Sequence, residues 1–140
     1  MITVITGPPC SGKSTWVQQH RQPGDLTIDF DLICQALGAR RDHDQDPWLR
    51  EVTAAAWAAA VRRAVGEPRH RTWIIDARPT RQRQDDYQRI RARIVRLDAA
   101  RAELHRRADE AGRPPGYHER IDDFLAAGPR DPAPAVRTRW

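Results

Sequence analysis

The stretch Gly7-Pro8-Pro9-Cys10-Ser11-Gly12-Lys13-Ser14 fits the pattern G-x-x-x-x-G-K-[ST] at every fixed position. Ahead of it lies Ile2-Thr3-Val4-Ile5-Thr6, an almost wholly apolar run suited to a buried parallel strand. Behind it, Lys13 to His20 reads as a helix, ended by Pro23-Gly24. Strand, glycine loop and helix in that order make a phosphate cradle. The glycines let successive N–H groups turn inward, and the helix N-terminus adds a favourable dipole. Lys13 then bridges β- and γ-phosphates, and the Ser14 hydroxyl binds Mg²⁺. Gly7, Pro8, Pro9, Cys10, Ser11, Gly12, Lys13, Ser14 and Thr15 are therefore the expected ATP-binding set, with ATP and Mg²⁺ as the implied ligands. Base contacts are not legible, so GTP use stays open.

Lys13 is also the one lysine of the chain; every other basic side chain of the Lys/Arg class is arginine. A drift toward arginine stops at the position where a compact ammonium on a flexible stem must reach phosphate. The planar guanidinium fork does not replace it there.

At 140 residues the chain is one domain. Its apolar fraction of 39% lies below the roughly 45–50% usual for globular chains, so long arginine stems must cover the margins of a lean core. No apolar run approaches a membrane span. A strand starting at Ile2 reads as fold rather than as a leader. Cys10 and Cys34 do not form a disulfide framework, and a reducing, cytoplasmic setting fits them. The five histidines are scattered without metal-ligand spacing. A net charge of +5 and a pI near 10.2 fit either arginine-rich codon usage or attraction to a polyanion such as nucleic acid.

Farther along, Leu26–Asp31 reads as a second strand and Leu32–Leu37 as a short helix. Arg40–Asp46 is a polar connection. Asp46 caps a helix with Pro47 at its first position, running through the alanine-rich segment to Val65. Thr72–Asp76 is a third strand, Arg81–Arg91 a helix, and Ile94–Asp98 a fourth strand. Ala99–Ala111 and Tyr117–Ala127 are helices joined by a Gly/Pro turn. Residues 1–127 make the domain, and 128–140 a proline-rich tail. Alternating strands and helices argue for a parallel sheet with right-handed crossovers. Ligands bind beyond the carboxyl ends of such strands. The loop at 7–14, Asp29, Asp31 and Asp76 all fall there, so they should converge on one site.

Asp29 and Asp31, at i and i+2 of one strand, would share a face. A hydroxyl acceptor needs a carboxylate to orient it and take its proton. Asp76 ends an apolar strand, the Walker B position, and is expected on Mg²⁺ with Ser14 and Asp29. Arg106, Arg107 and Arg113 flank the Gly/Pro turn near 106–116, where a lid would lower guanidinium groups onto the transferring phosphoryl group. Arg78, in the turn after Asp76, joins Asp29 and Asp31 as a candidate substrate contact. Trp16 and Trp57 read as packing residues; Trp48, Tyr87 and Trp140 are candidates for stacking a base.

On these residues the chain resembles the phage-type polynucleotide 5′-kinases. Gly7–Trp16 is similar to their GKSTW loop, Asp29-Phe-Asp31-Leu to their acidic strand end, and Trp73-Ile-Ile-Asp76 to their third strand. Arg107, Arg113 and the helix around Ile121–Leu125 are similar to their arginine lid and last helix. The resemblance implies an α/β, P-loop kinase-type three-layer sandwich. Its small parallel sheet would have about four strands in the order 2-3-1-4, flanked by helices and an arginine-bearing lid. It implies Asp31 as general base, Lys13 and Arg107 as catalytic groups, and Arg107 with Arg113 over ATP. It also implies a nucleic-acid hydroxyl as acceptor, no membrane, and action in the cytoplasm, a host's if the chain is phage-encoded. Two features depart from the family: the turn after Asp76 reads Ala77-Arg78, and no arginine follows the acidic strand end near Cys34. The Asp-x-Asp is shared with shikimate- and gluconate-type kinases, and related phage kinases act on hydroxymethylated pyrimidines in DNA, so these acceptors stay open. A nucleotide-dependent switch without an acceptor is the reading from another class. Oligomeric state is not legible.

Overall fold

The computed structural model describes residues 1–40, 46–128 and 135–138. Five parallel strands form one sheet in the order β2-β3-β1-β4-β5. In chain order the elements are β1 (Ile2–Thr6), α1 (Lys13–His20), β2 (Leu26–Ile28), α2 (Phe30–Ala36), α3 (Pro47–Gly66) and β3 (Thr72–Ile75). There follow α4 (Arg81–Arg89), β4 (Arg93–Asp98), α5 (Arg101–Glu110), α6 (Gly116–Ala126) and β5 (Ala135–Arg137).

The central strand β1 is buried on both faces, and its period of two sorts the core. Ile2 and Val4 pack with Ile28 and Ile74 against Val61 and Val65 of α3 and Tyr87 of α4. Ile5, with Trp73, Val95 and Leu97, meets Val17 of α1 on the opposite face. Helices thus cover both faces of a parallel sheet, the α/β sandwich expected from the alternation. A third cluster, Leu104, Ala108 and Ile121, joins α5 to α6. Arg101 and His105 of α5 both bond Asp122 of α6, at 2.7 and 2.8 Å.

Local signals account for several element ends. The Asp46 side chain accepts the Leu49 N–H at 3.0 Å, and Pro47 opens α3, as its sequence indicates. The Thr80 hydroxyl caps α4.

Two expectations are corrected. The second strand stops at Ile28, not Asp31. Asp29 leaves the strand and caps α2, its Oδ1 accepting the Asp31 N–H at 3.0 Å. A side-chain acceptor two residues ahead of an unpaired helical N–H competes with further extension and wins here. Asp29 and Asp31 are therefore a cap and a first-turn residue of α2 rather than neighbours on one strand face. The second correction is the strand count: Ala135–Arg137 of the tail pair with Arg96–Asp98 and extend the sheet to five strands. Residues 41–45 of the polar connection, and Trp140, lie outside the described residues.

Candidate functional site

The loop after β1 is held by its own peptide groups. The Gly7 N–H donates to Ala77 O at 3.1 Å and the Ser11 N–H to Pro8 O at 3.3 Å. Gly7 is irreplaceable by geometry: its φ is +133°, and a Cβ there would lie 2.3 Å from Leu97 O. Gly12, at φ 85°, opens α1 with no side-chain cap, which leaves that helix start to an anion. Lys13 Nζ donates to Gly7 O at 3.0 Å and Pro8 O at 2.7 Å. Burial of the ammonium brings its pKa down to about 8, against the opposing pull of Cys10, Asp29 and Asp31. Burial raises the Cys10 thiol, although Arg113, Lys13 and Arg107 lie near it.

Ser14 and Asp29 meet across the sheet edge. The Ser14 hydroxyl donates to Asp29 Oδ2 at 2.9 Å, and Asp29 is buried at 4% exposure. Two hard oxygen ligands beside a phosphate cradle suit Mg²⁺, which keeps several of its waters and takes few protein ligands. Among the described residues no group of three or more His, Cys, Asp or Glu side chains gathers as a metal cage.

A cavity of about 290 Å³ opens beside this pair. Ser14, Asp29, Asp31, Arg21, Gln35 and Arg113 line it. Arg113 stands over the Tyr117 ring at 5.6 Å, and its charge lies near the Cys10 thiol; its Nε is buried without a hydrogen-bond partner among the described residues. Tyr117 is buried, and burial together with the nearby Asp31 pushes its pKa up to about 12. Ser14 of the phosphate loop, Asp29 and Asp31 after β2, and Arg113 from the turn between α5 and α6 thus come together. The lining arginine Arg21 was not among the residues singled out from sequence. It follows the last residue of α1, and nothing local distinguishes it from the chain's many other arginines.

Five other candidates make contacts of their own. Asp76, expected on the metal, is buried and bound by Arg83 through Nε at 2.7 Å and by the Tyr87 hydroxyl at 3.0 Å. Both of these bonds end on Oδ2, and Oδ1 lies 3.3 Å from Arg83 Nη2. Tyr87 is fully buried beneath it and stacks no base; burial, then Asp76, raises its pKa. Arg78, a candidate substrate contact, lies outside the acidic cavity. It donates to Phe124 O at 2.6 Å and Gly128 O at 2.8 Å, with its guanidinium 4.3 Å from the Phe124 ring, and so anchors the end of α6. Arg107 is nearly buried and donates to Cys10 O at 3.2 Å and Glu103 Oε1 at 2.9 Å. Arg106 pairs with Glu103 and Glu110 on its own helix. Trp16 stacks on His20 at 3.8 Å and meets Trp73 edge-on, a packing role. Among the described residues no helix is long and apolar enough to cross a membrane.

No curated protein sequence matches the chain. Among solved structures it is similar to a chain of the Pnkp1/Rnl/Hen1 RNA repair complex, at 17% identity and a TM-score of 0.62. That alignment covers 95% of this chain and 47% of the other, so the chain spans about half the length of that relative. It is similar to a candidate kinase from Chloroflexus aurantiacus at 15% identity and a TM-score of 0.61, covering 98% and 83% of the two chains. It is also similar to the tunicamycin resistance protein of Deinococcus radiodurans, at 18% identity and a TM-score of 0.53 with 98% and 85% covered. At these identities the likeness is one of fold. The AAA domain family, AAA_33, matches residues 2–123. The chain belongs to this AAA domain family, as a P-loop kinase-like domain.

Proposed function

We propose that the chain is an ATP-dependent phosphotransferase whose acceptor is a hydroxyl of a nucleic acid, in the manner of a 5′-hydroxyl polynucleotide kinase. The observation that carries this reading is the shared cavity. One wall holds Ser14 and Asp29 at the phosphate loop, another Asp31, and a third Arg113. A nucleotide switch needs an ordered water; it has no use for a half-buried carboxylate beside a cavity of substrate size.

The residues divide the work as follows. The loop from Gly7 to Thr15 holds the triphosphate, with Lys13 on its outer phosphates. Ser14 and Asp29 hold Mg²⁺. Mg·ATP, when bound, supplies the phosphoryl group and an electrophilic phosphorus. The Asp31 carboxylate orients the acceptor hydroxyl and takes its proton as the new P–O bond forms and the bond from the γ-phosphorus to the β-phosphate oxygen breaks, with ADP leaving. Arg113 stabilises negative charge on the transferring group. Arg107 braces the loop. Support for a nucleic-acid acceptor comes from the basic balance of the chain and from the RNA-repair neighbour. A reducing cytoplasm, in which Cys10 and Cys34 stay thiols, belongs to the same reading.

A second acceptor class, a small hydroxylated metabolite, draws on the modest cavity of about 290 Å³. That volume holds a terminal nucleoside or a free metabolite equally well. Transfer of labelled γ-phosphate from ATP to 5′-hydroxyl DNA and RNA oligonucleotides tests the proposal, with 5′-phosphorylated oligonucleotides and Lys13→Ala as controls. Label on the 5′-hydroxyl ends alone, absent in the Lys13 variant, is the expected result. ATP binding without oligonucleotide labelling would move the acceptor to modified bases or small metabolites.

A further inference from the structure

A phosphate cradle turns its N–H groups inward, and this turns loop carbonyls outward, where they need donors of their own. Two outward carbonyls, Cys10 O and Ser11 O, are met from distant parts of the chain. Arg107 of α5 donates from Nη1 to Cys10 O at 3.2 Å. Thr138, directly after β5, donates from Oγ1 to Ser11 O at 3.1 Å.

These two donors also hold each other. Arg107 Nη1 donates to Thr138 Oγ1 at 3.2 Å, and Nη2 donates to Thr138 O at 3.1 Å. The Thr138 N–H donates to Asp98 O at 3.1 Å, which fixes the residue to the end of β4. Thr138 is thus a junction of four pieces: β5, β4, α5 and the phosphate loop. The captured segment is a costly one. Cys10 has φ +61°, a left-handed conformation that non-glycine residues adopt only under outside constraint.

We infer that Thr138 is a positioning residue for the nucleotide, acting on the phosphate loop together with Arg107. In a planar trans peptide the C=O and N–H point in opposite directions. Anchoring Ser11 O to Thr138 therefore aims the Gly12 N–H to the opposite side of the loop. Anchoring Cys10 O likewise fixes the Ser11 N–H, which closes the turn on Pro8 O. The β5 strand becomes part of the nucleotide site without touching the ligand. The inference rests on the reading that this loop holds a nucleoside triphosphate.

Calorimetric titration of the full chain with Mg·ATP tests it, using wild type, Thr138→Val, Thr138→Ser, Arg107→Lys and Lys13→Ala. Melting of each protein without nucleotide runs alongside. Valine keeps the shape and loses the hydroxyl, so affinity should fall about fivefold, the worth of one hydrogen bond. Serine should restore it, and the ligand-free melting temperatures of the two should match. Arg107→Lys keeps the charge near Glu103 and loses the fork, so it should weaken binding similarly. Wild-type affinity in both Thr138→Val and Arg107→Lys, with binding lost in Lys13→Ala, would overturn this inference alone. A lowered melting temperature with unchanged affinity would do the same, since it marks a structural tie only. No binding by the wild-type chain would overturn the nucleotide reading and this inference together.

Discussion

Ser14 Oγ and Asp29 Oδ2 lie 2.9 Å apart and join the first turn of α1 to the cap of α2. One aspartate therefore has two duties. Its Oδ1 holds the Asp31 N–H at 3.0 Å, and its Oδ2 faces the hydroxyl expected to bind metal. Asp29→Asn keeps the cap, because an amide oxygen accepts equally well, but lowers the negative charge. The Mg²⁺ concentration for half-maximal activity should rise by about tenfold or more, with little change in melting temperature. Metal titration of both proteins reads this.

Lys13 sets a pH window. Its pKa in the folded chain, about 8, lies below the ordinary value of 10.5, chiefly through burial. The unfolded chain thus binds more protons than the folded one between those values. The penalty Lys13 places on folding is full below pH 8 and fades as pH rises toward 10.5. ATP binding runs the other way, because phosphate needs the ammonium. Above pH 8 affinity should fall by up to about tenfold per unit. Calorimetric titration of the wild-type chain with Mg·ATP at pH 7 and pH 9 reads that fall.

The Asp76–Arg83–Tyr87 group predicts a stability effect. Asp76 is 5% exposed, and removing Arg83 leaves its charge buried with one hydroxyl partner. Arg83→Leu should cost about 3 kcal/mol in urea unfolding, and Tyr87→Phe about 1 kcal/mol. If Asp76 were instead a principal metal ligand, added Mg²⁺ would restore much of the stability of Arg83→Leu.

Gly7→Ala should disrupt the loop at its entry. The positive φ and the 2.3 Å approach of a Cβ to Leu97 O act together, and Leu97 O belongs to the fixed backbone of β4. A loss of about 2 kcal/mol or more is expected, with ATP binding abolished. Urea unfolding and nucleotide titration read the two parts separately.

The sheet and its site end were legible because their signals are periodic or local. Ile2 to Thr6 reads as a buried strand, and the glycine–lysine loop follows by a fixed spacing. Asp46-Pro47 announces α3 with its own cap. What stayed hidden depends on partners distant in sequence. Asp76 ends an apolar strand, but its bonds to Arg83 and Tyr87 come from the packing of α4 and leave no mark in the local sequence. Arg78 and Arg107 carry no local mark that separates anchoring a backbone carbonyl from contacting phosphate. The strand at 135–137 is three exposed residues after a proline-rich stretch, and its order comes from the edge of β4 rather than from its own pattern. Asp29 is ambiguous in sequence for a subtler reason: an aspartate at the end of a strand and one at a helix cap look alike until the next N–H is placed.

Asp31 carries the central claim, because a general base is needed for transfer and not for holding ATP. The most direct measurement is a pair of titrations on Asp31→Asn: Mg·ATP affinity, and the rate of γ-phosphate transfer to a 5′-hydroxyl oligonucleotide. The account predicts affinity within about twofold of wild type and a rate lower by about 10²–10⁴-fold. Full transfer by Asp31→Asn would contradict it and remove Asp31 from the reaction.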